Sequence, residues 1–252
     1  MHSQTCPECG GRGIVIIDGG TALVCPCAKT ARIKNLLNSS HMTGSLREKS
    51  FNNFSLEYYS RSHKDRYSDR THYEIAARAM EACKSFIRDC LDGKNPRGLY
   101  IFGQVGSGKT HLACSIANEL ITGGVEVLFV VVPDYLDEIK HSWEQGSDYN
   151  EKEILDKARE VQVLVMDDLG AHNYSEWTKG KIYTILNYRL NNNLPTVITS
   201  NLEYHETEDY LDYRISSRLI ELCRPVLLQV KKSEDIRLQR IIKYSQKGRG
   251  GE

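Results

Sequence analysis

The chain has 252 residues, 40% of them hydrophobic and 26% charged, which sets an expectation of one or two domains with a proper core. Lysine plus arginine and aspartate plus glutamate each total 33, so the formal charge is zero and any nucleic-acid site must be a local basic patch. No apolar run approaches membrane-spanning length, and Met1–Cys6 lacks a charged-then-apolar signal pattern, so a cytoplasmic protein is expected.

At the start, Cys6, Cys9, Cys25 and Cys27 are spaced C-x₂-C, fifteen residues, C-x-C. Four thiolates suit tetrahedral zinc. The run Cys6-Pro7-Glu8-Cys9-Gly10-Gly11 has the form of a knuckle whose backbone N–H groups turn toward sulfur. Ile14–Ile17 and Ala22–Val24 flank Asp18-Gly19-Gly20 and read as a β-hairpin that brings the two pairs together. The tight second pair leaves water or His2 as an alternative fourth ligand. A redox pair, an iron–sulfur site and free thiols are the other readings. So short a segment (1–30) buries little, so bound metal would supply its folding energy. The remaining cysteines, Cys83, Cys90, Cys114 and Cys223, read as buried apolar residues.

Residues 31–70 are polar and basic, with a short helix expected over Ala31–Leu37, and read as a linker. Phe51, Phe54, Leu56, Tyr58 and Tyr59 would anchor it on the next domain. Basic residues with interleaved aromatics also suit single-stranded nucleic acid, although a solvated linker explains them equally well. The third segment, 71–252, opens with Thr71-His72-Tyr73-Glu74, a capping box. Ile75, Ala79, Cys83, Phe86, Ile87 and Cys90 follow at helical spacing, and Gly93 suits the stop.

Gly98–Phe102 reads as a buried strand and His111–Leu120 as a helix. Between them Gly103-Gln104-Val105-Gly106-Ser107-Gly108-Lys109-Thr110 fits G-x-x-x-x-G-K-[ST], the phosphate-binding loop. Its backbone N–H groups and the helix N-terminus suit phosphate. Lys109 would reach the β- and γ-phosphates and Thr110 would hold Mg²⁺. His111, at the helix start, completes the expected nucleotide-contacting set.

Val125–Val132 reads as a strand, Pro133–Trp143 as a helix, 145–150 as a loop and Glu151–Arg159 as a short helix. Val163-Leu164-Val165-Met166-Asp167-Asp168 is an apolar strand ending in paired carboxylates, expected beside the phosphate-loop strand. Asp167 would bind Mg²⁺ and Asp168 would orient or polarise the attacking water. Asp168 stands where Glu is more frequent, and the shorter arm suits slow hydrolysis. A helix over Ser175–Asn192 and a strand over Thr196–Asn201 follow. Asn201 is placed for the γ-phosphate or lytic water. Arg214 and Arg218 share a helical face and read as paired with local carboxylates or as an arginine finger for a neighbouring subunit. Pro225–Val230 reads as the last strand. A terminal helix opens at Ser233 and carries Arg237.

The elements, their order, the Asp-Asp-Leu-Gly ending at Gly170 and Thr199-Ser200-Asn201 together resemble the AAA+ ATPases. The narrower likeness is to the DnaC/DnaI-type helicase loaders and IstB-type transposition helpers. The resemblance implies an α/β fold: a five-stranded parallel sheet flanked by helices, with the C-terminal lid reduced to one basic helix. It makes Asn201 sensor 1, Arg218 the arginine finger with Arg214 as alternative, and Arg237 sensor 2. The cysteine module looks like the zinc-containing helicase-binding region of DnaI-type loaders. The expected cofactors are ATP, Mg²⁺ and Zn²⁺. The expected partners are a replicative hexameric helicase, single-stranded DNA and further copies of the chain. The implied function is ATP-dependent loading of that helicase. The alternatives are a transposase helper and an adaptor whose ATP site is structural.

Overall fold

The computed structural model describes residues 6–17, 21–65, 68–144, 148–171, 174–230 and 235–236. A two-stranded antiparallel hairpin, β1 (Ile14–Ile17) and β2 (Thr21–Val24), precedes helix α1 (Pro26–Ser39). α2 (His72–Leu91), β3 (Gly98–Phe102), α3 (Lys109–Thr122), β4 (Val127–Val131), α4 (Val132–Glu144) and α5 (Asp148–Glu160) follow. The chain continues through β5 (Val163–Leu169), α6 (Glu176–Asn191), β6 (Thr196–Ser200), α7 (Tyr204–Tyr210), α8 (Tyr213–Leu222) and β7 (Cys223–Leu227).

The large sheet is five-stranded and wholly parallel, in the order β4-β5-β6-β3-β7. Its strands are apolar on both faces, as a parallel sheet sandwiched by helices requires. Leu99, Ile101, Val163, Val165 and Val197 join one buried cluster with α2 and α3. Tyr100, Leu164, Met166 and Ile198, one residue out of phase, join the other with α4, α5, α6 and α8. Pro225 is tolerated because β7 is an edge strand paired only with β3.

Several expectations shift. α1 starts five residues before Ala31, with proline at its first turn. α5 absorbs the last part of the expected 145–150 loop. β7 begins at Cys223 and ends at Leu227, short of the expected Val230. β5 is not beside β3, as expected of the acid-bearing strand: β6 lies between them.

The stretch expected as a basic linker is, as far as Tyr59, a packed strap. The Phe129 N–H donates to the Ser40 carbonyl (2.9 Å), and Met42, Phe51, Phe54 and Tyr59 join the first core cluster. Arg32 donates to the Gly124 carbonyl at 3.1 Å and Arg47 to the Leu37 carbonyl at 3.0 Å, so both guanidiniums serve backbone contacts here. Arg189 is fully buried and donates to Thr196 Oγ1 and to the carbonyls of Ala158, Arg159, Val161 and Pro195, tying α5 and α6 to β6. Among the described residues no helix is long and apolar enough to cross a membrane. The helix expected from Ser233 lies outside the described residues except Asp235 and Ile236.

Candidate nucleotide site and cysteine centre

The loop from Gly103 to Gly108 joins β3 to α3, with Gly108 capping α3 at φ +95°. A Cβ there would meet Phe54 and the Tyr59 hydroxyl oxygen at 3.0 Å, so the left-handed backbone and the aromatic strap both require glycine. At Gly103 (φ +141°) a Cβ would lie 1.8 Å from the Leu228 carbonyl oxygen. Tyr59 donates its hydroxyl to the Ser107 carbonyl at 2.6 Å, and the Val230 N–H donates to Gln104 Oε1 at 3.2 Å. The Ile236 N–H donates to the Gly106 carbonyl at 3.3 Å. The loop is thus braced from the strap, from the chain after β7 and from residue 236. Val105 is 57% exposed at its tip.

Lys109 Nζ donates to the carbonyls of Gly103 (2.8 Å) and Gln104 (2.9 Å) and to Asn201 Oδ1 (2.7 Å). The lysine and the strand-end amide therefore share one point. The His111 ring meets the strap: Nε2 lies 2.9 Å from the Ser50 carbonyl oxygen, and the ring meets Phe54 edge-on at 5.3 Å.

Asp167 and Asp168 are adjacent on β5, so plain strand alternation would send them to opposite faces. The register between β5 and β6 shifts between Met166 and Leu169, and Asp168 takes the left-handed conformation, φ +63°. This bulge re-aims the second carboxylate. Asp168 Oδ1 lies 3.4 Å from Asn201 Nδ2, while Asp167 stays buried. One hydroxyl holds the bend: Thr199 Oγ1 donates to Asp167 Oδ1 at 2.5 Å and accepts from the Asp168 N–H at 2.9 Å. Burial pushes the Asp167 carboxyl above its ordinary value, and hydrogen bonds from Thr199 and Thr110 oppose that rise. A hydroxyl and a carboxylate meeting beside the lysine are oxygen donors that fit Mg²⁺.

Arg218 Nε donates to Asn187 Oδ1 (2.9 Å), its Nη1 lies 3.6 Å from Glu221, and its guanidinium sits over the Tyr183 ring at 5.9 Å. Arg214 meets Asp212 at 3.3 Å and the same ring at 5.5 Å. Among the described residues neither arginine touches its own phosphate loop or acids. Arg237 lies outside the described residues.

The four N-terminal sulfurs lie within 4.8 Å of one another. Cys6 and Cys25 are 3.7 Å apart and Cys9 and Cys27 3.3 Å. A tetrahedral ion about 2.3 Å from each sulfur would set them about 3.8 Å apart. The Gly13 N–H donates to Cys9 Sγ at 3.3 Å, as a knuckle requires. Burial raises the Cys9 thiol, but hydrogen bonds led by Cys27 and the Gly13 N–H outweigh it and bring it to about 6. The Cys27 thiol is raised, chiefly by its hydrogen bond to Cys9. Four sulfurs this close together, one of them accepting from a backbone N–H, are a donor set that suits zinc, and four protein ligands leave no open coordination position. His2 lies outside the described residues. Cys83, Cys90, Cys114 and Cys223 are buried, as expected.

A phosphate loop following β3, acids on β5 and an amide just past the end of the intervening β6 define an AAA+ P-loop fold, parallel and five-stranded. The chain belongs to the IstB-like ATP binding protein family, whose model matches residues 70–239. The replicative helicase loader DnaI of Bacillus subtilis (strain 168) is 29% identical over 156 residues, 57% of this chain and 49% of that one. The chain therefore matches about half the length of that relative. The replicative helicase loader DnaC of Escherichia coli (strain K12) is 29% identical over 150 residues, 60% of each chain. A crystal structure of DnaI aligns with a TM-score of 0.61 at 31% identity, covering 75% of this chain and 95% of that one.

Sequence reasoning singled out the loop, lysine, acids and amide and expected Tyr59 as an anchor, but gave no role to Thr199 or to the Tyr59 hydroxyl at the phosphate loop. A hydroxyl two residues before Asn201 was the available signal for the first, and aromatics within a polar stretch for the second. The bulge yields a prediction. Asp168→Gly relieves a left-handed non-glycine residue, so the melting temperature should hold or rise while ATP turnover falls at least about tenfold. A thermal melt beside a phosphate-release assay checks it, and unchanged turnover would remove Asp168 from the chemistry.

Proposed function

We propose that this chain is an ATP-dependent loader of a replicative DNA helicase onto single-stranded DNA, acting as a switch in replication initiation. The observation that carries the reading is the joining of a complete P-loop site to loader-type relatives by both sequence and fold. In this reading the phosphate-loop amides, from Gly103 to Thr110, and Lys109 bind the ATP phosphates. Thr110 and Asp167 hold Mg²⁺, which when bound neutralises phosphate charge. Asn201 and Asp168 orient the γ-phosphate and the attacking water. Arg218 of one copy completes the site of the next, so ATP orders copies into an oligomer, and Arg237 is assigned the sensor 2 role. The short Asp168 arm keeps hydrolysis slow and dependent on the partner. A replication role places the protein in the cytoplasm.

The cysteine module, proposed as a zinc-folded unit over 1–30, would grip the helicase. Its hairpin supports this: Ile16 is 66% and Val24 72% exposed, with Ile14 beside them, an apolar face on a small domain. The segment 31–70 would then couple the module to the ATPase domain, 71–252. Membership of the IstB-like ATP binding protein family favours a second reading, a transposase helper.

Pull-down with a co-encoded hexameric helicase, with and without ATP, tests the loader. Capture of helicase is expected, with ATP-dependent delivery to single-stranded DNA that Lys109→Ala abolishes. Capture of a transposase instead, or delivery unaffected by Lys109→Ala, would overturn it. Metal analysis tests the module: about one zinc per chain is expected, lost in Cys9→Ser. Iron, or no metal in the parent chain, would refute zinc.

A further inference from the structure

An arginine finger must be aimed before a neighbour arrives, because ordering a long flexible side chain costs entropy at the moment of reaction. The surface of α6 supplies the aiming. Tyr183 and Asn187 stand four residues apart on that helix, hence on one face, opposite Arg214 and Arg218, which are four apart on α8. The guanidiniums of Arg214 and Arg218 sit 5.5 Å and 5.9 Å from the centre of the one Tyr183 ring, within the range of cation–π attraction. Asn187 Oδ1 accepts from Arg218 Nε at 2.9 Å, which fixes the guanidinium by its inner edge. Glu221 lies 3.6 Å from Nη1. Among the described residues nothing pairs with Arg218 Nη2, and the side chain is 29% exposed. Arg214 differs: it is 66% exposed and meets Asp212, the residue that caps α8.

We propose that Tyr183 and Asn187 are positioning residues for the finger. Tyr183 is the platform on which the two arginines are spaced, and Asn187 is the stop that turns the Nη edge of Arg218 toward a neighbouring copy's γ-phosphate. The inference rests on Arg218 being the finger. It assigns Arg214 a supporting place: it shares the ring and is tethered by Asp212. The two arginines carry like charge, and the ring's electron-rich face together with Asp212 and Glu221 offsets their repulsion.

The test is steady-state ATP hydrolysis and ATP-dependent self-association of the full chain, read for Tyr183→Leu, Tyr183→Phe, Asn187→Ala and Arg218→Ala. Arg218→Ala should lower kcat about 10³-fold. Tyr183→Leu and Asn187→Ala should each lower kcat about tenfold and weaken ATP-dependent association. Both should leave the ATP KM within about twofold, because the nucleotide sits on each copy's own phosphate loop. Tyr183→Phe keeps the ring and should keep the parent rate. Tyr183→Leu combined with Arg218→Ala should be no slower than Arg218→Ala alone. If Arg218→Ala collapses turnover while Tyr183→Leu and Asn187→Ala retain it, the platform is refuted and the finger stands. A Tyr183→Phe loss as large as that of Tyr183→Leu would also refute it. If Arg218→Ala itself turns over normally, the finger assignment fails, and the platform with it.

Discussion

One hydroxyl decides whether two neighbouring carboxylates can serve one nucleotide. Thr199 Oγ1 donates to Asp167 and accepts from the Asp168 backbone N–H, which holds the β5 bulge against β6. Without that bend the pleat would carry Asp168 to the far face of the sheet. With it, a buried acid beside Thr110 and a second acid beside Asn201 converge on the end of the sheet where Lys109 sits. A left-handed aspartate costs on the order of 1 kcal/mol, which the hydrogen bonds and the surrounding parallel sheet offset.

The same end of the sheet is braced from regions distant in sequence. Phe54 and Tyr59 press on Gly108, and the Leu228 carbonyl presses on Gly103. The strap that carries Phe54 and Tyr59 also carries Ser40 and Met42 into the core, and α1 joins it directly to the cysteine cluster. A covalent and packed path therefore runs from the sulfurs to the phosphate loop. This gives the proposed switch a physical route: a partner that gripped the hairpin would pull on the strap that clasps the loop.

The phosphate loop was legible because its glycines answer conformational demands that no other residue meets. The sheet was legible because its apolar runs need burial on both faces. α7 was not, since its acidic Tyr204–Tyr210 segment carries no apolar stripe and buries only Thr207. The bulge was not, because nothing in Asp167-Asp168 separates a bent strand end from a straight one. The strap was half legible. Its aromatics pointed to an anchor, but its lysines and arginines suggested solvent, and the backbone carbonyls that Arg32 and Arg47 reach exist only in the fold. The strand order, with β6 between β3 and β5, was likewise invisible to local pattern.

The most direct test of this arrangement is Thr199→Val, which keeps the shape of the side chain and removes only the hydroxyl. Turnover and nucleotide affinity are measured on the same preparation. ATP affinity should stay within a few-fold, since the phosphate loop is untouched, while Mg²⁺-dependent turnover should fall by about tenfold or more as Asp167 and Asp168 lose their common anchor. Parental turnover in Thr199→Val would contradict the account, because the two acids would then be held in place by something other than that hydroxyl.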